Sequence, residues 1–105
     1  MFSGGDYEEV ARWLGNFVTS HAKRENLRVE AVVDAGGPRE GRSYGVRLRL
    51  GGRLHPPAGE APIELAYDEV ARNRGSLAWC SALADRLRAL ARELSLVGAG
   101  SRRSA

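Results

Sequence analysis

The sequence predicts an α+β domain: a helix, a three-stranded antiparallel meander and a second helix (α-β-β-β-α), with both helices packed on one face of the sheet. Three observations carry this. A helical period of apolar residues opens the chain, two runs alternating between apolar and polar residues follow, and the longest and cleanest helical period, Ser76 to Ser95, comes last.

The first helix starts at Asp6 and Glu9, a D-x-x-E signal. Tyr7, Val10, Ala11, Leu14, Phe17, Val18 and His21 then recur at i, i+3, i+4 spacing as far as Ala22, with Trp13 at the edge of the stripe. From Leu27 the period becomes two: Leu27, Val29, Ala31, Val33 and Ala35 share one face, and Arg28, Glu30, Val32 and Asp34 the other. A turn composition, Gly36 to Gly41, separates this strand from a second in which Tyr44, Val46, Leu48 and Leu50 share a face. Inward positions are odd in the first strand and even in the second, so the register must pair odd with even numbers. The expected register sets Val33 beside Tyr44, Ala31 beside Val46, Val29 beside Leu48 and Glu30 beside Arg47, with Arg28 facing Arg49.

Gly51 to Ala61, with its glycine and proline pairs, reads as a loop. Pro62 to Tyr67 reads as the third strand, with Ile63, Leu65 and Tyr67 inward; Asp68 to Gly75 allows one helical turn before Gly75. Ser76 then N-caps the last helix, on which Leu77, Cys80, Leu83, Ala84, Leu87, Leu90, Ala91 and Leu94 form a broad apolar side with Trp79 at its margin. This helix is the expected centre of the core.

At 105 residues, with 43% hydrophobic and 28% charged residues, the chain is expected to form one domain over residues 1–97 and a flexible basic tail over 98–105. One cysteine makes no intrachain disulfide, the N-terminus lacks a basic-then-apolar leader, and no apolar run approaches the ~20 residues of a membrane span. A cytoplasmic protein with no membrane partner is expected. The basic residues are fifteen Arg and a single Lys, yet the net charge is only +3; the Ala- and Gly-rich composition fits a GC-rich coding bias better than dedicated phosphate recognition.

The inventory for catalysis is small. His21, His55 and Cys80 are the histidines and the thiol, and Cys80 is expected to be a buried, inert thiol at the centre of the apolar stripe. Ligand spacing for a metal is missing, as are the nucleotide-binding and nucleophile-elbow motifs, so no catalytic residue, cofactor or metal is expected.

For nucleic acid, the element order, Gly37-Pro38 in the hairpin loop and the Val46 to Gly52 stretch of the second strand resemble the double-stranded-RNA-binding domain family, over roughly a third of the chain. The resemblance implies reading of duplex shape through the first helix, that loop and the start of the last helix. The chain departs from the family at those places. Glu40 stands where the loop histidine would fall, and Ser76-Leu77-Ala78-Trp79 replace the basic cluster, leaving Arg72 and Arg74 ahead of the helix. The chain is therefore not assigned to the family.

Charge placement points elsewhere. The hairpin-loop edge holds Arg39, Arg42, Arg72 and Arg74 against Asp6, Glu8, Glu9, Glu40, Asp68 and Glu69, which disfavours phosphate. The opposite edge holds Lys23, Arg24, Arg28, Arg53, Arg92, Arg102 and Arg103 against Glu25, Glu60 and Glu93, and a polyanion would be expected there, around His55 and the tail. Ala78, Ala82 and Ala89, with Trp79 nearby, form a candidate face for a partner helix. The leading expectation is a non-enzymatic interaction module, self-associating or accessory to a larger protein. A nucleic-acid-binding domain using the basic edge is the alternative.

Overall fold

A computed structural model describes the backbone of residues 4–104 and the side chains of residues 6–96. The α+β architecture is as expected: α1 (Gly4–Glu25), β1 (Glu30–Asp34), β2 (Ser43–Leu50), β3 (Arg53–His55), β4 (Ile63–Ala66), α2 (Tyr67–Asn73) and α3 (Leu77–Ser104). Helical spacing accounts for α1, which buries Tyr7, Val10, Leu14, Val18 and Ala22. On α3, Leu83, Leu87, Ala91 and Leu94 close the same core over Tyr44, Val46 and Leu48 of β2 and Ile63 and Leu65 of β4. Ser76 caps α3 as expected, its Oγ accepting from the Trp79 amide at 3.3 Å.

The sheet corrects the expected meander in one respect: its third strand is in two pieces. β2 is central and antiparallel to all its neighbours, with β1 on one side and both β3 and β4 on the other. β3 lies within the stretch expected to be loop. Leu50 and Arg53 pair across a two-residue turn in which Gly51 takes φ +62°, a conformation glycine adopts without strain. The chain then leaves the sheet and rejoins at Ile63, opposite Val46. Arg47 holds the excursion, donating from Nε to the Pro56 carbonyl at 3.1 Å and from Nη2 to the Glu60 carbonyl.

The first hairpin keeps the expected parity but is shifted by two residues. Val33 pairs with Val46, Ala31 with Leu48 and Glu30 with Arg49, whose ion pair measures 2.5 Å. Arg28 is outside the ladder, so the like-charge contact with Arg49 is avoided. Part of the shift is absorbed by the connection, where a 3₁₀ turn at Gly37–Arg39 and Gly41 at φ +78° widen the link between the strands.

That connection is tied to α1 by tyrosines. The Tyr7 hydroxyl lies 3.0 Å from the Ala35 and Arg39 carbonyls and 2.5 Å from that of Ser43, among which it shares one proton. Tyr44 stacks on Tyr7 with ring centroids 4.7 Å apart and donates its own hydroxyl to the Tyr7 carbonyl at 2.8 Å. Burial pushes both phenols above their ordinary pKa.

Several residues expected inside are not. Leu27 sits in the turn before β1, 79% exposed, and Leu77 opens α3, 83% exposed. Cys80 is half-buried, not central to the core; its Sγ lies 3.8 Å and 3.6 Å from the Asn73 and Arg74 carbonyls, because the first turn of α3 rests against the end of α2 and not over the sheet. Tyr67 begins α2 instead of ending a strand, and α2 runs longer than the single turn expected. The backbone of 98–104 continues α3, while the side chains of the expected tail lie outside the described residues. No helix among the described residues is long and apolar enough to cross a membrane.

Candidate functional site

The sheet's outer face carries arginines, and each of them is engaged by its neighbours. Arg39 lies across Gly45, where an added Cβ would sit 2.8 Å from its Nε, and reaches Asp34 at 2.9 Å and Glu64 at 2.9 Å. Ser43 adds a 2.6 Å bond to Glu64, whose carboxyl is held below its ordinary pKa chiefly by the Arg39 hydrogen bonds. Arg47 is spent on loop carbonyls and Arg49 on Glu30, so the arginines of this face are held within an internal lattice of ion pairs and hydrogen bonds.

An apolar recess lies between β3 and α3. The tight turn at Gly51 brings β3 back along β2, and the excursion held by Arg47 overhangs it, while the last described turn of α3 passes alongside. Between them opens a cavity of about 810 Å³ lined by Gly52, Arg53, Leu54, His55, Pro57, Ala58, Glu93, Leu94 and Leu96. Its walls are almost wholly apolar. Leu94 is buried beneath it, whereas Leu96 stands 66% exposed at its mouth. The polar groups are at the rim, where His55 Nε2 meets Glu93 Oε1 at 2.8 Å and Arg53 flanks them. This pair links β3 to α3 across one side of the cleft.

The residues expected to form a polyanion edge are brought to this end but divided by α3. Glu25 at the end of α1 is held by Arg88 at 3.1 Å and Arg92 at 3.3 Å, which lowers its carboxyl pKa, and Asn26 donates to Ser95 at 2.9 Å. Those α3 residues face α1. At about 100° per residue, Glu93 lies further around, toward β3. Lys23, Arg24 and Arg28 therefore flank one side of α3 and Arg53 the other. Lys23 Nζ is committed to the Leu27 carbonyl at 2.7 Å and Arg92 to Glu25. The side chains of Arg102 and Arg103 lie outside the described residues.

The expected partner-helix face is split as well. Ala78 and Ala82 are exposed and Ala89 is half-buried, but Trp79 turns away and donates its indole N–H to Glu69 of α2 at 3.0 Å. The three groups weighed for catalysis are apart. Cys80 is at one end of α3 and His55 meets Glu93 at the other, thirteen residues or about 20 Å along the axis. His21 packs at 4.5 Å on Phe17, its Nδ1 buried without a partner, and burial first, then Arg24 and Arg88, lowers its pKa. No group of three potential metal ligands occurs among the described residues.

Sequence reasoning located His55 and Arg53 at this end but not the apolar cleft they rim. The signal is Leu50-Gly51-Gly52-Arg53-Leu54, a two-glycine turn with leucines near both sides, and the nearby Pro56-Pro57 masks it by giving the stretch a loop composition. Compared with family models, curated proteins and solved structures, the chain matches none, so neither the double-stranded-RNA-binding resemblance nor any other family enters the functional reading, which rests on this geometry.

Proposed function

We propose that the protein is a non-enzymatic binding module, accessory to a larger system, whose recognition site is the cleft between β3 and α3. The observation that carries this is the cavity of about 810 Å³, within the size range of small-molecule sites, with apolar walls and polar groups confined to its rim. Leu96 is exposed, as Leu27 and Leu77 are, but it alone of the three lines this apolar recess, and recognition would explain an open recess of that kind. The wide separation of Cys80 from His55 supports a non-catalytic reading, and the unpaired thiol suits a reducing, cytoplasmic setting.

Self-association is the less supported half of the expectation, since with Trp79 turned away its face consists of small residues alone. The polyanion reading is weakened by the engagement of Lys23 and Arg92 and by the division of the edge. Steeply salt-dependent binding of duplex RNA or DNA would reinstate it.

The test uses the neutral apolar fluorophore N-phenyl-1-naphthylamine. Its emission should rise saturably with the native chain and stay near background with Ala58→Trp, a substitution at an exposed loop position that fills the cleft. Equal emission with both proteins, or none with either, would sink the cleft as a binding site.

A further inference from the structure

We infer, building on the cleft reading, that the ligand is an anionic amphiphile: an unbranched acyl chain occupying the apolar walls, with its carboxylate or phosphate head at the Arg53 side of the mouth. The walls set the tail. Leu54, Pro57, Ala58 and Leu94 present almost no polar surface, so a sugar or nucleotide seated there would lose hydrogen bonds to water without replacement, whereas methylene groups lose none. The same lack of polar surface disfavours an extended peptide, whose backbone N–H and C=O groups need partners that a three-residue strand followed by Pro56-Pro57 supplies poorly.

The rim sets the head. Among the described lining residues Glu93 is the one carboxylate, and its Oε1 is taken up by His55 at 2.8 Å; Arg53 adds a cation beside it. Basic residues dominate this end more widely, with Lys23, Arg24 and Arg28 across α3, so the surrounding field favours a negative head. Leu96 extends the apolar path from the cleft to the surface and would cover the tail where it emerges.

The experiment is isothermal titration of the full chain with dodecanoate, decanoate and dodecyltrimethylammonium, each below its micellar concentration. One molecule of dodecanoate should bind per chain. Removal of two methylenes should weaken binding about tenfold, as burial of each contributes ~0.8 kcal/mol. The cationic amphiphile should bind more weakly than dodecanoate, and Arg53→Gln should narrow that gap. Ala58→Trp and Leu96→Ser, both at exposed positions, should reduce affinity while circular dichroism shows the fold intact. Flotation with phosphatidylglycerol vesicles separates the two sources of the ligand: vesicle association lost in Ala58→Trp assigns a bilayer lipid, and dodecanoate binding without vesicle association assigns a soluble acid. Neutral fluorophore bound but dodecanoate refused would overturn this inference and leave the cleft reading standing. If neither binds, both are overturned. Dodecanoate binding indifferent to chain length and to Ala58→Trp would also overturn it.

Discussion

At the scale of single residues, the fold depends on polar groups whose partners are fixed by the backbone around them. Tyr44 is fully buried, and its hydroxyl satisfies the Tyr7 carbonyl. Tyr44→Phe removes this donor while the Tyr7 carbonyl keeps its helical bond within α1, so urea denaturation should show a loss of about 0.5–1.5 kcal/mol with an unchanged m-value. His21 makes a pH prediction. Its pKa in the folded chain is lowered from 6.5, chiefly by burial against Phe17, so the unfolded chain takes up the proton more readily. Stability due to this group is therefore complete above pH 6.5 and declines as pH falls below it. Thermal melts between about pH 7 and pH 5 should fall with acidity in the native protein and less so in His21→Gln. The Glu25, Glu30 and Glu64 carboxyls, all lowered by arginine partners, lose their contribution only further down, below 4.5.

At the scale of elements, the helices were legible in the sequence and the sheet only in part. Spacing of 3.6 residues identifies α1 and α3 because burial selects every third or fourth residue over many turns. The first turn of α3 escaped that logic, since periodicity gives direction around a helix but not where along it the sheet ends; hence Leu77 and Cys80 were expected inside. Alternation fixed which faces of β1 and β2 turn inward, but any register differing by two keeps the same faces, so Val33 could be set beside Tyr44 or Val46 with equal right. Local turn geometry decides, and it depends on Gly41 at φ +78°. β3 was missed because three residues are too few to show a period. Gly51 at φ +62° makes that strand possible, and Gly51→Val should therefore destabilise the β2–β3 hairpin, by about 1–2 kcal/mol from the left-handed conformation alone, with hydrogen exchange rising first at Leu54 and His55.

At the scale of the whole molecule, the arginine content divides by place. On the open sheet face it is structural: Arg39, Arg47 and Arg49 are consumed by carboxylates and carbonyls of the same face. At the opposite end Arg53 flanks an apolar opening while Arg88 and Arg92 are turned to Glu25 at the end of α1, and the nearness of Arg53 and His55 is the part of this site readable from sequence. The cleft was not readable, because it arises from the excursion between β3 and β4 and the passage of α3 beside it, which residue spacing does not encode. The most direct measurement is amide chemical-shift mapping of the ¹⁵N-labelled chain titrated with N-phenyl-1-naphthylamine. The largest shifts should fall on Gly52 to His55, Ala58 and Glu93 to Leu96, with the arginine lattice around Gly45 unmoved. Shifts centred on Ala78 and Ala82, on the sheet face, or spread evenly over the chain would contradict the account.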